Sequence, residues 1–321
     1  MNIINAGGWY VGNSAVLDWM DGFEELAVIK GDLNITRLEN GVMDMISEID
    51  SEKKSLMISL RKRNCYKNIY SMTRTLLGRY TKHIFKTMSP VDYFENFKFH
   101  SMFLRSLLVY EKKIAKNDDF DEINFWKNWL LKLPLIDSPK KNYEHIVYQN
   151  PFFYEETFGG HQDVWPRLFS PYKMMFVHRD PLDQFADIVK AGAHLNVSWP
   201  RFHGGTEEMH PADRFFGISK KIYSARLRMA ENYSKDELII FSFEDFLLKH
   251  EGVAKIIVDF LGLQESTYSR SRRFDLKESM KNIGNGQAHK EAEDLLSEKP
   301  YVLRDLYILR NKLIEHPNSI F

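Results

Sequence analysis

Cysteine is almost absent, with Cys65 the only one in 321 residues. A lone cysteine excludes an intramolecular disulfide framework and suits a reducing compartment. Net charge is absent too, since 44 basic residues balance 44 acidic ones. No global field therefore directs the chain toward nucleic acid or an anionic membrane, and any anion site has to be local. No apolar run approaches the roughly 18 residues needed to span a bilayer. The N-terminus runs straight into the apolar pair Ile3-Ile4, without the basic and apolar regions of a leader peptide. The chain reads as soluble and cytoplasmic. No compact His/Cys/Asp/Glu grouping has metal-ligand spacing, so no metal is expected. Internal repeats and low-complexity linkers are also missing. At this length a single large α/β domain or two ordinary domains can bury a full core.

What the sequence does contain begins at its first turn, Asn2-Ile3-Ile4-Asn5-Ala6-Gly7-Gly8-Trp9-Tyr10-Val11-Gly12-Asn13-Ser14-Ala15. Ile3 and Ile4 suit a short buried strand, the glycines permit a sharp turn, and an apolar-rich helix starts at Ser14 and runs to Met20. Main-chain N–H groups around Gly12, Asn13 and Ser14 would point out of the free end of that helix. Unpaired donors and the positive end of the macrodipole both favour phosphate there. The spacing Gly7-x-x-x-x-Gly12-Asn13-Ser14 is that of a P-loop with Asn13 in place of lysine. That lysine reaches the β and γ phosphates, so its replacement argues against ATP or GTP hydrolysis.

Leu26 to Ile29 reads as a second strand, with Lys30-Gly31-Asp32 as its exit loop. If this strand neighbours the first in parallel, Lys30 and Asp32 come to lie near the glycine turn. From 38 to 135 the apolar spacing is helical, as in Val42, Ile46 and Ile49 or Phe103, Leu107 and Tyr110. This segment reads as a mainly helical insertion or lid within one α/β domain spanning 1–321. Its Phe94, Phe97, Phe99, Met102, Phe103, Phe125, Trp126 and Trp129 could line an acceptor cleft, but packing between the helices accounts for them more simply. Ile146-Val147-Tyr148 reads as another strand, and Lys173–His178 as a central one buried on both faces. Asp180 can cap a helix that opens on Pro181 and buries Phe185, Ile188 and Val189, which leaves Arg179 where strand hands over to helix. Glycines and prolines from Gly192 to Pro211 mark a surface loop carrying His194, Trp199, Arg201, His203 and His210. A helix from Ala212 to Tyr233, a strand at Glu237–Ser242 and a helical segment from Phe243 to a Gly262 cap follow. The tail holds a glycine turn, Asn282-Ile283-Gly284-Asn285-Gly286, and then a charged amphipathic helix.

Strands alternating with helices, the first ending in an anion-binding turn, point to a P-loop-like, doubly wound parallel α/β sheet with a large helical insertion. Ligands bind beyond the carboxyl ends of such strands. The glycine turn could hold one phosphate and Arg179 a second by a charge-assisted contact, so a ligand phosphorylated at both ends would satisfy both.

Gly8-Trp9-Tyr10-Val11-Gly12-Asn13-Ser14-Ala15, then Met175-Phe176-Val177-His178-Arg179-Asp180-Pro181-Leu182-Asp183-Gln184, then Phe241-Ser242-Phe243-Glu244-Asp245-Phe246 and Phe260-Leu261-Gly262-Leu263 resemble the PAPS-dependent sulfotransferases in order and spacing. The resemblance covers most of the chain. It implies transfer of a sulfuryl group from 3′-phosphoadenosine 5′-phosphosulfate (PAPS) to an acceptor hydroxyl by in-line displacement at sulfur, without a metal. It also implies that Gly8, Trp9, Tyr10, Gly12, Asn13, Ser14 and Ala15 bind at the 5′-phosphosulfate and Arg179 at the 3′-phosphate. Two positions depart from the family pattern. Tyr10 and Val11 stand where many members carry a basic residue that contacts the transferring group, which makes Lys30 the candidate cation. Asp187 stands where a serine often shares the 3′-phosphate, and a carboxylate would repel it, so either Asp187 faces away or another residue supplies that contact. The segment from Ser279 to Gly284 resembles the family's nucleotide-closing tail, through which Lys281 or Asn282 could compensate. Asp32, His100, His161 and His203 are candidates for the general base, Asp32 by its strand and His161 by its place ahead of the Arg179 strand.

Trp9, Tyr10, Trp165, Trp199 and His203, interleaved with polar groups, suit stacking on sugar rings. By analogy with the family, a surface polysaccharide or its lipid-linked precursor is the expected acceptor, and a small alcohol or phenol the alternative. Two other functions compete: a P-loop phosphotransferase for a small metabolite, and a nucleotide- or carbohydrate-binding protein of the same fold without catalysis.

Overall fold

A computed structural model describes residues 1–7, 10–32, 42–46, 51–74, 90–116, 120–134, 142–150, 164–195, 209–269, 271 and 273–320. The chain divides into two compact units, one of Met1–Asp32, Asn142–Gly160 and Pro171–Phe321, the other of Leu33–Lys141 and His161–Ser170. In chain order the described helices are α1 (Asn13–Met20), α2 (Val42–Ile46), α3 (Ser51–Arg74), α4 (Pro90–Ile114), α5 (Glu122–Leu130), α6 (Trp165–Phe169), α7 (Pro181–Lys190), α8 (Pro211–Ala230), α9 (Phe243–Leu248), α10 (His250–Leu261), α11 (Leu276–Met280), α12 (Asn285–Ala288), α13 (Lys290–Ser297) and α14 (Tyr301–Ile314). Among the described residues no helix is long and apolar enough to cross a membrane.

The first unit is built on a five-stranded sheet of β1 (Asn2–Ala6), β2 (Leu26–Asp32), β3 (His145–Gln149), β4 (Tyr172–His178) and β5 (Leu238–Ser242), in the order β2-β3-β1-β4-β5. All neighbouring pairs are parallel, so the carboxyl ends of the strands share one edge. Alternation along the strands sorts side chains onto two faces. Ile3, Val147, Met175, Val177, Ile239 and Phe241 form one apolar core with α1, α9 and α10. On the opposite face, the Phe176 ring lies under Arg226 of α8. Helices on both faces make this the doubly wound α/β architecture that the alternation of elements predicts. At the β5 edge, Ile240 donates to Asn318 O (2.9 Å) and accepts from Ile320 N (3.1 Å), so the segment at 318–320 covers the side of β5 that faces away from β4.

The strand order corrects one expectation. β2 does not neighbour β1: Val147 of β3 pairs with Ile3 on one side and with Val28 on the other. Lys30 and Asp32 therefore sit two strand spacings, about 10 Å, from β1, and the argument that put them beside the glycine turn fails. They also belong to β2 itself rather than to an exit loop, past a register shift between Ile29 and Asp32.

The second unit is helical where it is described. Phe103, Tyr110, Phe120, Phe125, Trp126 and Trp129 form a chain of ring contacts with centroids 5.1–6.0 Å apart, joining α4 to α5. Tyr110 donates to Met45 O of α2 (3.2 Å) and also bonds the Glu122 carboxylate. Lys54 to Glu122 (2.7 Å) and Lys62 to Glu111 (2.6 Å) tie α3 to its neighbours.

Candidate functional site

The glycine turn leaves β1 and enters α1 with two residues in the left-handed region, Tyr10 at φ 58° and Gly12 at φ 88°. Gly12 has to be glycine, because a Cβ there would overlap the Phe243 ring of α9. Tyr10 is not a glycine, so its conformation is strained and must be held by its surroundings. Below the turn, Asn150, at the end of β3 and also left-handed at φ 42°, accepts from Gly7 N (3.0 Å) and from Asn13 Nδ2 (3.5 Å). Asn13 is thus buried with its side chain turned toward β3, while Ser14 is exposed and Ala15 half-buried at the start of α1. Ala15 N donates to Gly12 O (3.0 Å), so among the three residues that open the helix its amide is already used within the turn. Gly8 and Trp9 lie outside the described residues.

Arg179 follows β4 and is buried to 3% exposure. Its guanidinium lies 5.1 Å from the Phe243 ring centroid. Nη1 donates to Tyr10 O (3.2 Å) and to Asp187 Oδ2 (2.5 Å), and Nη2 donates to Asn282 O (2.5 Å). One side chain thereby ties together the glycine turn, α7 and the tail. Asp187, expected to conflict with a phosphate, neither faces away nor leaves Arg179 open: it is the arginine's ion-pair partner. Its second oxygen accepts from Asn285 Nδ2 (3.3 Å). Burial, and next the Asp187 charge, raise the pKa of the Tyr10 phenol. The tail reaches Arg179 through the main-chain carbonyl of Asn282, whereas Lys281 points its ammonium at Glu278 (2.6 Å) on the surface.

A second carboxylate fixes the tail. Asp183, in the first turn of α7, accepts from Gly284 N (2.7 Å) and Gly286 N (2.8 Å), and a Cβ at Gly286 would overlap Leu182. The start of α7 is itself fixed from the other side. Asp180 caps it by accepting from Leu182 N (2.9 Å) and Asp183 N (3.3 Å), and also accepts from Tyr307 Oη (3.0 Å) and Arg310 Nη1 (3.5 Å) of α14. Arg310 Nη2 donates to Glu244 Oε2 (2.8 Å), and Glu244 Oε1 accepts from Asp180 N (2.7 Å). Burial raises the pKa of Glu244 while Arg310 opposes the shift. Arg310 Nε donates to His178 Nδ1 (3.4 Å), and burial followed by the Arg310 charge brings the His178 pKa down to about 3.

A second cation that meets the glycine turn, besides Arg179, is Arg226 of α8, 3% exposed, whose Nη2 donates to Gly7 O (3.2 Å). Of the base candidates, His161 and His203 lie outside the described residues, as do the side chains of Lys30 and Asp32. His100 belongs to the helical unit, contacts Asn68 Nδ2 (3.3 Å), and has its pKa lowered by burial. Trp9 and Trp199 are likewise outside, and Trp165 is buried in α6. Among the described residues no His/Cys/Asp/Glu group is arranged to hold a metal.

Solved structures similar to this chain include two sulfotransferase domains. One is a sulfotransferase domain from the curacin biosynthetic pathway, at 13% identity and TM-score 0.49, covering 85% of this chain and 78% of that one. The other is a sulfotransferase domain from the Synechococcus PCC 7002 olefin synthase, at 11% identity and TM-score 0.48, covering 86% and 78%. No family model and no curated protein matches the sequence. Likeness of this degree assigns no chemistry to the site, which rests on the residues described above.

Three of those residues were missed in the sequence, and each left a faint mark there. Asn150 precedes Pro151, a turn signal directly after a strand. Arg226 and Arg310 each fall on the buried stripe of an amphipathic helix, between Ile222 and Met229 in α8 and between Leu306 and Leu313 in α14. A charge in that position is buried only when paired or hydrogen-bonded.

Proposed function

We propose that the chain is a sulfotransferase that moves a sulfuryl group from PAPS to an acceptor hydroxyl on a saccharide. The observation that carries this reading is that Arg179 hydrogen-bonds both the glycine turn, at Tyr10 O, and the tail turn, at Asn282 O, at the carboxyl edge of a parallel sheet. These are the segments whose order in the sequence resembles the PAPS-dependent enzymes. That edge is where open α/β sheets bind their ligands.

The residues present fit such a donor. Asn13 and Ser14 open α1, where main-chain N–H groups have no intrahelical acceptor, and would hold the 5′-phosphosulfate. Arg179, whose Nη1 already holds one anion, the Asp187 carboxylate, at 2.5 Å, would serve the 3′-phosphate. When bound, the donor supplies the sulfuryl group and a bisphosphate leaving group, on whose bridging oxygen negative charge grows. Helix-end amides aimed at that charge stabilise it without reorganising. Arg226 adds positive charge beneath the turn through Gly7 O, which supports the reading although Asn13 replaces the P-loop lysine. The saccharide acceptor rests mainly on the resemblance to the family, beside the aromatic and polar interleaving of the sequence.

Incubating the full chain with radiolabelled PAPS and a panel of oligosaccharides and small alcohols tests this. The reading expects label on a saccharide with equimolar release of adenosine 3′,5′-bisphosphate. Magnesium-dependent phosphate transfer from ATP, with no transfer of the sulfuryl label, would replace it with a phosphotransferase.

A further inference from the structure

The proposed 3′-phosphate site already contains an anion. Asp187 Oδ2 lies 2.5 Å from Arg179 Nη1, and its side chain is 18% exposed against 3% for the arginine. The carboxylate therefore reaches solvent while the guanidinium behind it does not. Its other oxygen is held by Asn285 Nδ2 at 3.3 Å. The groups around Arg179 come from the glycine turn, α7, α9 and the tail: Tyr10 O, Asp187, the Phe243 ring and Asn282 O. Asp187 is the one charged group among these described partners.

We infer that Asp187 is an internal stand-in for the donor's 3′-phosphate, which keeps Arg179 oriented in the free protein and must yield when a 3′-phosphorylated nucleotide enters. This rests on the sulfotransferase reading and deepens it, because it makes Asp187 the residue that sets affinity for the 3′ position. Three physical points support it. A guanidinium buried without a counter-charge is costly, so the free site needs an anion at that spot. A carboxylate and a phosphate cannot share one face of the arginine without like-charge repulsion, so one displaces the other. A phosphate carries more charge and more acceptor oxygens than a carboxylate, so it competes for the same donors on favourable terms. The exchange is one of contacts alone, with no bond made or broken. Asn285, released from Asp187, stays on the tail turn that Asp183 anchors through Gly284 and Gly286.

The test is calorimetric titration of the full chain and of the Asp187→Ser and Asp187→Asn variants with adenosine 3′,5′-bisphosphate and with adenosine 5′-monophosphate. Asp187→Asn keeps an oxygen that can accept from Arg179 and so protects the fold if the serine variant is unstable. The bisphosphate should bind roughly tenfold tighter to both variants, the size of one relieved like-charge contact. The monophosphate, which lacks the competing group, should bind all three proteins alike. Unchanged or weaker bisphosphate binding in the asparagine variant overturns the stand-in role and leaves a structural ion pair. A parallel gain for both nucleotides overturns it as well, since the effect would not belong to the 3′ position. If no protein binds either nucleotide, the sulfotransferase reading falls and the inference with it. Bisphosphate binding by the unmodified chain without a gain in the variants removes the inference alone.

Discussion

In the helical unit the buried side chains that hold elements together are rings, Phe103, Tyr110, Trp126 and Trp129, and its lysines pair with glutamates at Lys54–Glu122 and Lys62–Glu111. In the sheet unit, by contrast, three arginines from different elements penetrate the carboxyl edge. Arg179 reaches Asp187, Arg226 reaches Gly7 O, and Arg310 reaches Asp180 and Glu244. Ring packing stabilises through apolar area removed from water, whereas arginine networks fix individual donor–acceptor pairs and are costly when incomplete. Charge buried at strand ends therefore holds this edge of the sheet in one arrangement, and the rings of the helical unit hold its helices together.

Breaking each region should separate stability from binding. Trp126→Ala removes the most heavily contacted ring of the helical unit and should cost about 4 kcal/mol. Thermal denaturation would show the loss, and adenosine 3′,5′-bisphosphate affinity should not change; a weakened affinity would place ligand contacts in that unit. Arg310→Met leaves Asp180 and Glu244 without their shared cation and should cost about 3 kcal/mol. Here nucleotide binding should weaken as well, because Asp180 caps the helix that carries Asp183 and Asp187. Gly12→Ala combines a left-handed conformation with overlap on Phe243 and should cost about 2–3 kcal/mol, read as a drop in the urea midpoint.

The sheet unit should also respond to pH. Burial and Arg310 keep His178 neutral down to about 3, whereas the unfolded chain protonates this histidine near 6.5. Below pH 6.5 the unfolded state binds a proton that the folded state does not, so this stabilisation is complete above 6.5 and is lost as the pH falls toward 3. At pH 5 the loss should be about 2 kcal/mol. Glu244, with its pKa raised by burial, acts in the opposite sense, losing stabilisation as the pH rises through its folded value. Comparing urea midpoints of the unmodified chain and His178→Gln at pH 7 and pH 5 isolates the histidine. A pH dependence identical in both proteins would show that His178 is not the buried neutral group described. The smallest effect belongs to Lys62→Ala, which removes a partly exposed ion pair to Glu111 and should shift stability by less than about 0.5 kcal/mol.

Local signals in the sequence carried most of the element boundaries. The Asp180–Pro181 cap, the buried Lys173–His178 run and the Gly262 cap, left-handed at φ 72°, all depend on neighbours in the chain, and they stand as the residues imply. Strand order was not legible, because the insertion of β3 between β1 and β2 is a pairing across more than a hundred residues. That one fact undid the placement of Lys30 and Asp32. The charged, amphipathic composition of the tail predicts one helix, which is broken before Pro300 into α13 and α14, since a proline supplies no N–H to continue the first. Within the site, Arg179 at a strand-to-helix junction was readable from spacing. Its Asp187 partner was noticed as a departure from the family pattern, but that the two pair directly depends on the side-chain geometry of α7. Arg226 and Arg310 were hidden because a charge on an apolar helix stripe does not disclose its partner.

The most direct test of the central claim, that the carboxyl edge of the sheet is a donor-nucleotide site organised by Arg179, is calorimetric titration of the full chain and of Arg179→Ala with adenosine 3′,5′-bisphosphate, with magnesium-ATP as the competing ligand. The account predicts bisphosphate binding that Arg179→Ala sharply weakens, with ATP bound poorly by both. Tight magnesium-ATP binding without bisphosphate binding, or bisphosphate binding indifferent to Arg179, would contradict it.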